Sequence, residues 1–138
     1  MADGSGTKLA GKANYQDGEY LFSMDDSSAS THNLEIGDSG KTYFISSTVA
    51  RTINLPAPTA GVSYKFIMSD TTADSSIVAT GAYLLGGIHA GNSYLTLAGT
   101  TIVCELAGAA GDCLNMVSDG TYWYIDGNSA HAAGFSVT

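Results

Sequence analysis

Three histidines, His32, His89 and His131, and two cysteines, Cys104 and Cys113, are the side chains best suited to acid–base, nucleophilic or metal chemistry. Their spacing supports none of it. No histidine lies in an HExxH or GxSxG context, and serine is so abundant that a chance Ser–His meeting in space would be uninformative. The thiols lack CxxC spacing and a nearby cation that would lower their pKa. With a histidine they also lack the spacing of a zinc knuckle. Asp25-Asp26, and Asp70 with Asp74 in SDTTADSS, offer oxygens, but neither group has EF-hand spacing and calcium takes about six to eight ligands. The Asp-Gly pairs at 3–4, 17–18, 119–120 and 126–127 are turn chemistry. GAYLLGGIHAG is followed by no GK[ST], so it reads as bends in a curved sheet instead of a phosphate loop. The expectation is a protein that is not an enzyme and that carries no metal or cofactor.

The densest aromatic segment is VSDGTYWYIDG, residues 117 to 127. Alternation puts Tyr122, Tyr124 and Asp126 on one face and Trp123 and Ile125 on the other, so the three rings cannot form one sugar platform. Either Trp123 is inside and the tyrosines outside, or the reverse. A single Trp in a domain of this size serves as a core anchor, which leaves Tyr122 and Tyr124 to line a subunit contact or bind a sugar. An interface is the ordinary use of paired exposed rings.

Strands must hold these residues. From about residue 18 short alternating runs such as KTYFI, RTINLP, SYKFIMS, SSIVAT, TTIVCEL and CLNMVS are punctuated by Gly, Asp, Ser and Asn, and no long window sustains a helical period. In RTINLP, Ile53 and Leu55 share a face opposite Thr52 and Asn54. In SYKFIMS, Tyr64, Phe66 and Met68 oppose Lys65 and Ile67. PAPTAG reads as a wide turn joining neighbouring strands. TTIVCEL and DCLNMVS flank AGAAG, which predicts an antiparallel pair with Cys104 and Cys113 almost opposite each other. A register shift of one residue decides between a cross-strand disulfide and two buried thiols, and a cytosolic setting favours reduced, buried thiols. The predicted fold is all-β: a single-domain antiparallel β-sandwich or β-barrel, jelly-roll-like, over residues 17–138, preceded by a flexible N-terminal arm over 1–16.

The length of 138 residues fits one domain with a real core. Only 13% of residues are charged, about half the ordinary fraction, and the net charge is −8. Every cation, Lys8, Lys12, Lys41, Arg51 and Lys65, lies in the first half of the chain. Phosphate-rich partners need clustered cations, so neither nucleic acid nor an anionic membrane is expected to bind. No apolar run reaches the ~20 residues of a membrane span, and MADGSGTKLAGK has no signal-peptide h-region. Assembly in a cytosol is therefore expected.

TINLPAPTAGVSYKFI, the GAYLLGGI segment, the TTIVCELAGAAGD step and VSDGTYWYIDG together resemble a group of small β-rich virion proteins of tailed bacteriophages. The group includes capsid decoration (cement) proteins and head- or tail-fibre modules, and the resemblance covers roughly residues 40 to 128. It implies a non-enzymatic sandwich or barrel that forms a homotrimer and is displayed on the capsid exterior after assembly in the host cytoplasm. The implied partners are the major capsid protein and copies of the chain itself. In that setting the arm would grip an acidic capsid surface through Lys8, Leu9 and Lys12. The short segment ahead of the domain favours decoration over a fibre. In the fibre alternative, host-surface glycans would be recognised through Tyr122 and Tyr124.

Overall fold

The computed structural model describes the backbone of 21–23 and all of residues 30–45, 49–69 and 73–138. The expected arm over 1–16, with Lys8, Leu9 and Lys12, lies outside the described residues, as do Asp25, Asp26 and Asp70. Twelve strands occur among the described residues: β1 (Leu21–Ser23), β2 (Thr31–Asn33), β3 (Thr42–Ile45), β4 (Arg51–Asn54), β5 (Ser63–Met68) and β6 (Ser75–Val78), then β7 (Leu84–Ala90), β8 (Ser93–Gly99), β9 (Thr101–Cys104), β10 (Cys113–Ser118), β11 (Trp123–Ser129) and β12 (Phe135–Val137). One 3-10 turn at Ile36–Asp38 is the only helical element among them. The strands form two mixed sheets packed face to face, a β-sandwich. The seven-stranded sheet has the order β1-β3-β5-β10-β11-β7-β8, and the five-stranded sheet β12-β9-β6-β4-β2.

Period-two patterning decides which side of each strand is covered. Ile53 and Leu55 point inward from β4 and its exit, Tyr64, Phe66 and Met68 from β5, and Leu114 and Met116 from β10. Ile77, Ile102 and Cys104 complete the inner face of the five-stranded sheet. An aromatic stack fills the space between the layers. Tyr43 lies 5.6 Å from Phe66, Tyr64 lies 5.6 Å from Trp123, and the two tyrosines are tilted against each other at 6.4 Å. Trp123 is 0% exposed. The Tyr64 hydroxyl donates to the Glu35 carbonyl at 2.6 Å, which satisfies the one polar atom its ring brings into the core.

Strand direction departs from the antiparallel expectation. From β1 to β6 the chain alternates between the sheets, and each strand lies parallel to the one two before it: β1 beside β3, β3 beside β5, β2 beside β4 and β4 beside β6. Crossing to the other layer and back returns the chain to the same sheet running in the same direction, so such a winding makes parallel neighbours. The antiparallel pairs come mostly from the second half, where β10 joins β5 and β11, β9 joins β6 and β12, and β7 joins β8; β7 and β11 are parallel.

Two loops thereby take on a different role. PAPTAG does not connect neighbouring strands: it carries the chain from β4 in one sheet to β5 in the other. AGAAG does the same between β9 and β10, so no hairpin forms there and Cys104 and Cys113 sit on different sheets. Both are free thiols, Cys104 in the core and Cys113 partly covered on the outer face of the seven-stranded sheet. Burial pushes the Cys104 thiol up to about 12, with Glu105, Asp112 and Asp74 adding to the shift.

The AGAAG crossing is held by Asp112, a buried carboxylate. It accepts hydrogen bonds from Ala109 N at 2.9 Å, Ala130 N at 2.8 Å and Ser129 Oγ at 2.6 Å, tying the loop to the end of β11. Three donors offset the cost of taking the carboxylate out of water.

Candidate binding face of the seven-stranded sheet

The outward residues of β5, β10 and β11 are set by register. Asn115 pairs with Lys65 on one side and Asp126 on the other, forming one row across three strands. In the adjacent row Val117 stands between Ser63 and Tyr124. Together with Lys41 and Thr42 from β3 and its approach, the two rows line a shallow surface depression of about 420 Å³. Val117 is 47% and Tyr124 42% exposed, which is much apolar surface for a face open to solvent.

Two hydrogen-bonded corners frame the depression. At one, Lys41 Nζ donates to Asp38 Oδ1 at 2.5 Å. Burial pushes the Asp38 carboxyl up, but the Lys41 and Glu35 N–H hydrogen bonds together with the Lys41 charge outweigh it, and the net shift is downward. At the other corner, the turn from β10 to β11 is closed by Asp119. Its Oδ1 accepts from Thr121 N at 2.7 Å and Tyr122 N at 2.9 Å. These backbone donors, Tyr122 first, hold the Asp119 carboxyl below its usual value. The same carboxylate, acting on the nearby Tyr124 hydroxyl, is the main cause that raises the phenol's pKa.

Beyond Asp126 the face continues onto β7, where Gly87 pairs with Asp126. The Tyr94 ring lies across Gly87 so closely that a Cβ there would collide with it, and His89 meets Tyr94 edge-on at 4.9 Å. Next along the strand, Gly86 has φ 112, and a Cβ on it would strike the Ile125 carbonyl. This glycine pair lets β7 approach β11 and lets Tyr94 fold down over the sheet.

The structure separates the residues singled out in the sequence. Tyr122 and Tyr124 are both exposed, at 37% and 42%, but only Tyr124 lines the depression. Trp123 lies beneath them in the core, with no hydrogen-bond partner for its Nε1 among the described residues. His32, His89 and His131 fall on β2, β7 and the loop after β11, and the three are not brought together. Asp74 accepts a hydrogen bond from Leu106 N at 2.7 Å. Among the described residues no group of three or more His, Cys, Asp or Glu side chains is placed to hold a metal ion. Sequence reasoning missed Lys65, Asn115 and Val117. Alternation puts Asn115 and Val117 on one face of CLNMVS, yet only the strand order shows that Lys65 and Asp126 flank them. Compared with known protein families, curated proteins and solved structures, the chain matches none.

Proposed function

We propose that the chain is a non-enzymatic structural protein of a tailed-phage virion that decorates the outer capsid surface as an oligomer. Besides the resemblance carried by TINLP, AGD and SDGTYWY, the reading is supported by one observation, the outer face of the five-stranded sheet. Two rows cross it in register, Thr31–Thr52–Ser76–Val103–Ser136 and Asn33–Asn54–Val78–Thr101. No charged side chain interrupts either row. Asn54 Nδ2 donates to Asn33 Oδ1 at 2.8 Å, so even its amides are paired along the surface.

Copies of a chain with net charge −8 repel each other wherever acids face acids. An uncharged, β-branched and small-residue face is the surface on which copies approach at least cost, and it suits the packed centre of a subunit contact. The homotrimer follows from the resemblance. The partner is then the major capsid protein, gripped by the arm through Lys8, Leu9 and Lys12. Ordering an arm costs about 1–2 kcal/mol per residue of backbone, so the grip needs several contacts.

Light scattering of wild-type protein and of Ser76→Arg, followed by co-sedimentation with undecorated tailed-phage capsids, tests this. Wild-type protein is expected to be oligomeric and to co-sediment, and the variant to shift toward monomer. Deleting residues 1–12 should leave the fold intact and lower occupancy. A wild-type protein that never sediments with capsids would sink the decoration reading, and an unchanged mass for Ser76→Arg would move the contact elsewhere.

A further inference from the structure

The depression on the seven-stranded sheet carries a second role, independent of the capsid reading and located on the opposite layer. We infer that it binds a neutral saccharide, with one pyranose unit seated over Asn115 between Lys65 and Asp126 and its C–H face against Tyr124 and Val117.

Spacing comes first. Neighbouring strands lie about 4.8 Å apart, so the backbones carrying Lys65 and Asp126 are separated by about 10 Å, room for a sugar ring with a hydrogen bond on either side. Among the described residues, the side chains of Lys65, Asn115 and Asp126 have no hydrogen-bond or ion-pair partner, and no Lys65–Asp126 salt bridge closes the gap. In that order the row presents a donor, an amide that both donates and accepts, and an acceptor able to take two hydroxyls at once. This is the complement of a polyol. The adjacent row supplies the apolar half: a pyranose has one face of C–H groups, which packs on an aromatic ring and an aliphatic neighbour.

Charge selects the class. A phosphate or sulfate ligand needs clustered cations, and Asp126 would repel it. A cationic ligand meets Lys65, with Lys41 on the rim. The lining balances one carboxylate against its cations and favours a neutral, hydroxyl-rich molecule. The site is shallow, so it accommodates one unit of a longer chain, with affinity per site near millimolar. Several linked copies would raise the effective affinity by multivalency. Tyr122 lies outside the depression and takes no part.

The test is an NMR titration of the full-length, 15N-labelled protein with maltotriose, lactose, mannotriose and chitotriose, and with inorganic phosphate and a heparin tetrasaccharide as anionic probes. At least one neutral sugar should shift the Asn115 side-chain amide and the Tyr124 and Asp126 backbone amides. Asp126→Ala and Tyr124→Ala should each weaken that binding by about tenfold or more, while Thr100→Ala, exposed and outside the depression, leaves it unchanged. All three sites are on the surface, and the spectra themselves report whether the variants fold. The inference is overturned if no neutral sugar shifts these resonances at tens of millimolar, if the shifts map elsewhere, if both variants bind like wild type, or if an anionic probe binds the same residues more tightly. None of these outcomes bears on capsid co-sedimentation.

Discussion

Cys104 and Cys113 show how far a single residue can be read from its neighbours. Both fall at the ends of alternating runs, whose register left the face of each thiol open by one residue; what the runs did not hold was that their strands belong to different layers. The consequence is chemical. Cys104 is enclosed and its thiol is raised to about 12, whereas Cys113 reaches the outer surface. An aromatic disulfide reagent should therefore label one thiol per native chain and two after denaturation, with Cys113→Ser abolishing native labelling. Two thiols reacting at equal rates in the native protein would contradict the placement. Asp112 makes a second prediction at this scale. Replacing it with Ala leaves the Ala109 and Ala130 amides and the Ser129 hydroxyl without their acceptor, at a cost of about 2–4 kcal/mol by urea denaturation. An unchanged midpoint would mean that water replaces the carboxylate easily. Trp123 and the tyrosines on either side were legible for a plain reason: in a strand, alternation alone sorts neighbours between core and surface.

Elements were legible as strands with faces, but not as pairs. A period of two is the same whether a neighbour runs parallel or antiparallel, so the winding of β1 to β6 left no trace in the patterning. PAPTAG and AGAAG look like hairpin loops because Pro and Gly serve a crossing between layers as well as a turn within one. The candidate face suffered most, since its rows join the consecutive strands β10 and β11 to β5, which is far from them in sequence. The parallel pairing of β7 and β11 depends on Gly86. Gly86→Ala places a Cβ against the Ile125 carbonyl at a positive φ and should destabilise the fold by at least about 2 kcal/mol. Denaturation midpoints measure it, and a near-neutral result would show that β7 can shift away from β11. The buried core also sets the alkaline limit. The Cys104 thiol rises from 9.0, and the Tyr64 phenol from 10.0, each to about 12, chiefly through burial. The folded state therefore holds protons that the unfolded chain has released, so stability is full below pH 9.0 and falls as the pH climbs toward about 12. In Cys104→Ala part of that loss should vanish, which urea midpoints on either side of pH 9.0 would detect.

The whole molecule divides its surface between the two layers. The five-stranded sheet presents in-register rows without charge, and the seven-stranded sheet presents a depression lined by lysine, asparagine, carboxylate and tyrosine. On the proposed reading one face meets neighbouring copies and the other is turned outward, an arrangement suited to coating a particle. Composition hinted at this through its low charged fraction, yet the segregation emerges only when strand order is known. The central claim is that this sandwich sits on the outside of a capsid with its five-stranded layer turned toward neighbouring copies. Cryo-electron microscopy of capsids incubated with the purified protein tests it most directly. The account predicts symmetric clusters of sandwich-shaped density on the outer shell, with Ser76 and Val103 at the contact between copies and Tyr124 facing solvent. Bare shells, or density with Tyr124 buried between copies and the five-stranded sheet exposed, would contradict it.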